Sequence, residues 1–230
     1  MSEIFVHKLI PLPYSFRGKN MKLFALLVLY KPECGEPFIL KGGYDLSSFS
    51  FFQRSSVQEF IKFTSKLMAS KAAPGTRQSV KETEAMCHCY ARDDSLVGIC
   101  MADEDYPHRV AHTLLAKVLD DFTGQVPRDQ WAAAAASAAA AGAGAGEVQG
   151  FVGLDVYLKK YQDPAAVDPL AKMQSEVDET KIILHNTIAA VLDRGEKLDD
   201  LAQKSDELSF QSKAFIKTAR KTNSCCASWS

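Results

Sequence analysis

What the chain lacks narrows it quickly. Its longest strongly apolar run, Leu23 to Tyr30, falls far short of the roughly 18 residues a spanning helix needs, so it is not expected to cross a membrane by itself. Charge of either sign is not in excess: 27 Lys and Arg face 28 Asp and Glu, a net charge of −1, which speaks against nucleic-acid binding. The cysteines (Cys34, Cys87, Cys89, Cys100, Cys225 and Cys226) lack the spacing of a disulfide framework, and no secretory signal precedes them. A reducing, cytoplasmic setting is expected. No nucleophile–base constellation is visible, so neither catalysis nor a bound cofactor is expected.

Metal chemistry is also not expected. In Cys87-His88-Cys89 a strand would put the two thiols on one face and the imidazole on the other. No second Cys/His pair is apparent in the sequence nearby. His108 and His112 are four apart near a helix start, but the glutamate of a zinc-protease helix is missing. Gly42-Gly43 and the glycines of 142–146 lack the strand–turn–helix setting of a phosphate cradle.

What is present divides the chain. Residues 1–20 have no clear period and form an extension of unknown role. From Met21 the order is strand, strand, helix, three strands, helix. Leu23–Tyr30 is continuously apolar, as a central strand covered on both faces should be. Phe38–Tyr44 returns beside it. Ser56 and Glu59 form a capping box that opens a helix to about Ser70. Extended runs 78–83, 85–91 and 95–102 follow, with Arg92-Asp93-Asp94 as a hairpin break. A second helix after Pro107 stops at Gly124. This is an α+β domain with one mostly antiparallel, five-stranded sheet and flanking helices. The stretch 132–146 is almost pure alanine and glycine and reads as a low-complexity insertion in a linker. On the first helix Phe60, Phe63 and Leu67 widen the apolar arc beyond what one sheet requires, which fits either plain core packing or a groove.

The longest signal lies in 170–222, after a short linker at 163–169. Leu170, Met173, Val177, Thr180, Leu184, Thr187, Val191, Arg194, Leu198, Leu201, Ser205, Leu208, Ser212, Phe215, Ala219 and Thr222 keep an alternating 3-4 spacing with no proline between them. That is the seam of a coiled coil, a helix about 80 Å long if continuous. Its one cation, Arg194, is permanently charged and costly to bury without acceptors. In a parallel homodimer it would face its own copy, so the seam favours unlike partners that bring amide or carboxylate oxygens to the same layer. The alternative is a homodimeric trafficking adaptor or scaffold in which Arg194 snorkels outward.

The segment Asp178-Glu-Thr-Lys-Ile-Ile-Leu-His-Asn-Thr187, with Leu192-Asp-Arg-Gly-Glu-Lys-Leu-Asp-Asp-Leu201, resembles the motif of an R-SNARE with Arg194 as its central-layer arginine. The resemblance implies vesicle–membrane fusion through a parallel four-helix bundle with three glutamine-bearing Q-SNARE helices. The run Tyr44-Asp-Leu-Ser-Ser-Phe-Ser-Phe-Phe-Gln-Arg-Ser-Ser-Val-Gln-Glu-Phe60 is similar to a longin domain, a profilin-like regulatory fold. That would cover 21–162, add a third helix near 150–162, and allow an intramolecular longin–SNARE contact. In that contact Phe60, Phe63 and Leu67 would form a groove for the SNARE segment or a prenyl chain, filled by Ile182, Ile183, Ile188 and Leu192.

Lys213, Lys217, Arg220 and Lys221 precede Cys225-Cys226 in the tail 223–230. Cations beside paired cysteines suit a two-signal lipid anchor at a membrane surface. By resemblance to the transmembrane-free, prenylated longin R-SNARE, Cys226 would carry a prenyl group and Cys225 a reversible palmitoyl group. Such a chain would cycle between cytosol and Golgi, endosomal or vesicle membranes. The sequence departs from that pattern in one respect: Ala227, not a cysteine, is fourth from the end. Two free thiols on a frayed tail are the competing reading.

Overall fold

The computed structural model describes residues 21–82, 85–141, 148, 150–151, 153–164, 167 and 181–226. The extension 1–20 and the seam positions Leu170, Met173, Val177 and Thr180 lie outside them. The elements in order are β1 (Leu23–Tyr30), β2 (Phe38–Tyr44), α1 (Arg54–Lys71), β3 (Arg77–Glu82), β4 (Ala85–Ala91), β5 (Leu96–Asp103), α2 (His108–Gln125), α3 (Arg128–Ala141) and α4 (Leu154–Lys160). Then come β6 (Ile182–His185), a 3-10 turn over Ile188–Ala190, α5 (Leu198–Lys204) and α6 (Phe210–Cys226).

The sheet has six strands, not five, in the order β2-β1-β5-β4-β3-β6. The first five pair antiparallel, while β6 joins the β3 edge in parallel, with Gln78 beside Ile183 and Ser79 beside Leu184. The extra strand comes from the heptad region, whose Ile182-Ile183-Leu184 suits a strand as well as a helix. The edge of β3 leaves backbone groups open to pairing, and β6 meets them.

β1 is buried on both faces, as its continuous apolarity requires. Leu23, Leu26 and Val28 meet α2, α3 and α4 on one side; Phe24, Leu27 and Leu29 meet α1 on the other. Gln162 satisfies the start of the strand, donating from Nε2 to Leu23 O at 2.8 Å and accepting from Leu23 N at 3.1 Å. Two glycines permit close helix approach. A Cβ on Gly43 would lie 2.9 Å from Leu154 Cβ, and one on Gly98 3.2 Å from Leu115 Cδ2.

Three local expectations change. The Ser56–Glu59 capping box does not form: Gln53 precedes α1 without a side-chain cap, and Glu59 is engaged elsewhere. Gly124 does not stop α2, because it does not take the left-handed geometry of a glycine cap; the helix continues to Gln125 and ends at Val126 in extended geometry. The alanine run, expected as linker, extends α3 to Ala141, since alanine's helix propensity prevails once Trp131 is anchored in the core. The third helix of the longin-like domain is α4, within the expected range.

Candidate functional site

The exposed face of α1 is where the chain's two halves meet. Segment 182–219 does not run as one helix here. Without partner helices its apolar side chains have no seam to enter, and it folds back on α1 instead. Phe60 and Phe63 pack against Ala202, Leu208 and Ile216, which are 1%, 5% and 3% exposed. Phe63 and Leu67 also contact the core cluster that includes buried Ile188 and Leu198, joined by Val191, Leu192 and Phe215. The arc thus packs against the returning segment. Of the expected occupants of a groove there, Ile188 and Leu192 join the cluster that Phe63 and Leu67 pack against, whereas Ile182 and Ile183 sit in β6 with Ile183 exposed.

Polar contacts set the register of this return. Lys71 pairs with Asp193 and with Glu196, the latter at 2.8 Å, and Lys66 pairs with Glu207. The two carboxylates hold the Lys71 ammonium above its usual range, and the lysine holds Glu196 below the usual carboxylate range. These pairs are partly solvated, so their contribution is small and salt-sensitive. Ser209 is the N-cap of α6, its hydroxyl accepting from Ser212 N at 3.2 Å. The acid that normally completes a capping box comes from α1: Glu59 Oε2 accepts the Ser209 N–H at 2.8 Å. Burial raises the Glu59 carboxyl, but the Ser209 N–H, the Ser212 and Ser209 hydroxyls and nearby Lys62 outweigh it, and the net shift is downward. No local sequence signal reveals this partnership, because Glu59 and Ser209 lie 150 positions apart.

The seam residues fare unequally. Leu198, Leu208 and Ser212 are buried; Val191, Leu201, Ser205, Phe215 and Ala219 are half-buried; Leu184 and Thr187 are exposed. Arg194 stands in solvent on a turn completed by Gly195 at φ +96°. Thr222, Cys225 and Cys226 fall on the last turns of α6. Ile216 and Ala202 escaped the sequence reading because both lie off the 3-4 stripe.

On the opposite face of the sheet the structure brings together histidines that sequence spacing kept apart. His88 turns away from Cys87 and Cys89, as strand alternation requires, and meets His108 and His112 of α2 at ring distances of 5.3 and 5.6 Å. The expectation that no other Cys/His pair lies nearby is thus corrected by the packing of α2 on β4. Ser79 Oγ bridges His88 Nδ1 (2.8 Å) and His112 Nε2 (3.0 Å). Among the described residues no group of three possible ligands is arranged to hold a metal. Likewise, no helix among them is long and apolar enough to cross a membrane.

Residues 46–142 match the Longin family model, described as a regulated-SNARE-like domain, and residues 169–227 match the Synaptobrevin model. The synaptobrevin homolog ykt6 of Schizosaccharomyces pombe is 47% identical over 207 residues, spanning 90% of this chain and 98% of the relative. The Saccharomyces cerevisiae YKT6 is 44% identical over 182 residues, 79% of this chain and 87% of that one. That of Yarrowia lipolytica is 42% identical over 206 residues, 90% and 98%.

Proposed function

The chain belongs to the longin-bearing synaptobrevin family, as an R-SNARE of vesicle trafficking and not an enzyme, and on that premise we propose that its longin domain holds the SNARE segment in a closed state that must open before assembly. Double use of the same side chains carries this reading. Leu198, Leu208 and Ser212 are buried against the longin half and are also layers of the seam. They cannot occupy both places, so longin docking and bundle assembly compete for them.

In the open state the segment 170–222 would form one helix and zip with three glutamine-bearing Q-SNARE helices, with Arg194 fixing the register. Arg194 is solvent-exposed in the closed state, which makes it a clean separation-of-function position. Arg194→Leu is expected to leave protease protection of 182–219 unchanged. With cognate Q-SNARE helices the same variant should misregister or assemble at least about tenfold more weakly, because the glutamine amides lose their cation. Equal assembly strength and rate for both chains would remove the proposed role.

The tail reading adds an anchor. Cys226 would carry a prenyl group and Cys225 a palmitoyl group beside Lys213, Lys217, Arg220 and Lys221, and the chain would cycle between cytosol and Golgi, endosomal or vesicle membranes. One acyl chain binds membranes only marginally, so two signals are needed for stable anchoring. Mass spectrometry of the C-terminal peptide from the native protein is expected to show both adducts. Two unmodified thiols in membrane-bound material would overturn the anchor.

A further inference from the structure

The loop from β2 to α1 carries an unexplained pair. Phe51 and Phe52 are 78% and 82% exposed, their rings edge-to-face at 5.8 Å. They are not core residues that missed their place, since Phe49 takes the inward position against Phe24, ring to ring at 5.6 Å. Nor do they belong to the SNARE groove: segment 182–219 covers Phe60 and Phe63 and leaves these two bare.

The loop beneath them is built to hold its shape. Phe49 N donates to Leu46 O at 3.1 Å and Gln53 N to Ser50 O at 2.9 Å. Ser50 Oγ bonds Gln53 Oε1 at 2.8 Å, and Arg54 reaches back to Phe49 O at 3.1 Å and Ser47 O at 3.4 Å. Two aromatic rings are therefore presented on an ordered support, at little further ordering cost when they bind something.

Within the loop itself the charge has one sign. From Leu46 to Gln58 the only charged residue is Arg54. Lys22 reaches the same loop through Ser48 Oγ at 3.0 Å. The neighbouring acid, Asp45, is occupied by the Ser47 N–H and hydroxyl and by Gln162 Nε2.

We propose that Phe51 and Phe52 form a knob by which the longin domain inserts into the interface of an anionic lipid bilayer. Size and charge favour a lipid occupant over a protein. Two phenyl rings offer on the order of 300 Å², well below the roughly 800 Å² that a specific protein interface takes from each partner. A fluid interface accepts a knob of any outline, and Arg54 and Lys22 attract its anionic headgroups. The knob is bare in the closed state, so it would let the closed chain touch membranes weakly and reversibly, independently of any lipid on the tail.

The test uses the full chain with Cys225→Ser and Cys226→Ser, so that the outcome does not depend on lipidation. Phe52→Trp is placed in that chain, and the parent, with Trp131 and Trp229, supplies the blank. Phosphatidylcholine vesicles containing phosphatidylserine are expected to shift the new emission to the blue, and phosphatidylcholine alone to shift it less. The double variant Phe51→Ser/Phe52→Ser is expected to lose at least about tenfold in co-sedimentation with the anionic vesicles while its melting temperature is unchanged. An emission indifferent to vesicles, or co-sedimentation equal for the double-serine chain, overturns the proposal. So does an emission already blue without vesicles that reverts when residues 1–20 are removed, which would assign the pair to the chain's own extension. Capture by Q-SNARE helices with no vesicle response would assign it to a protein and overturn the proposal as well.

Discussion

Phe63→Glu is expected to release the SNARE segment from the longin domain. Phe63 touches both sides of the return: the cluster of Ala202, Leu208 and Ile216, and the one containing Ile188 and Leu198. A carboxylate there forfeits those contacts and must be hydrated or held among apolar groups, a loss of about 2–4 kcal/mol. Each 1.4 kcal/mol is tenfold in an equilibrium, so the open population should rise by roughly 30-fold to several hundredfold. Hydrogen exchange and trypsin cleavage across 182–219 read this directly. Ile216→Ser gives the complementary test, because Ile216 lies on the segment, off the seam, and leaves the longin half intact. Both variants should open the segment while residues 21–160 keep their protection. If neither alters exchange in 182–219, the closed state is not held by this groove.

A second large effect is expected from pH. Burial, with neighbouring His112 and His108, pushes the His88 imidazole well below its usual range. Burial, with Arg77 and His108, lowers His112 to about 3. Among the described residues, the charged neighbours that shift the two rings are Arg77 and the other histidines, with Ser79 bridging them, and no carboxylate is among the causes. The unfolded chain binds protons near pH 6.5 and the native one only far below, so stability is present above that value and lost as pH falls beneath it. At pH 5, about 1.5 units lower, His112 alone costs about 2 kcal/mol, and His88 adds to the loss in the same direction. For a domain of this size the His112 share alone lowers the melting temperature by about 4–8 °C relative to pH 7.5. Glu59 and Glu196, both lowered, stay ionised across that window and lose their contribution only at more acidic pH, so the two effects separate. Replacing His112 by Phe together with Ser79→Ala should reduce the drop. An undiminished drop in that variant would place the titration elsewhere.

The histidine cluster shows why part of this protein was hidden from a linear reading. His88 lies on a strand and His108 and His112 on a helix, and nothing in their spacing says that α2 lies over β4. Glu59 is a similar case: read locally it caps α1, yet in the fold it caps α6, because a carboxylate accepts from whichever backbone N–H the packing brings near. The sixth strand escaped for another reason. Ile182-Ile183-Leu184 fits a helix seam and a strand equally well, and the choice belongs to the open edge of β3.

Strands β1 to β5, helices α1 and α2, and the 3-4 seam with its single cation were determined by sequence alone, since apolar periodicity and an unneutralisable charge are properties of the chain whatever its surroundings. Only the tertiary structure decided where that seam goes when its partners are absent. The buried layers Leu198 and Leu208 need apolar cover, and in an isolated chain the face of α1 provides it, while Arg194 stays in water, where a permanent charge costs least.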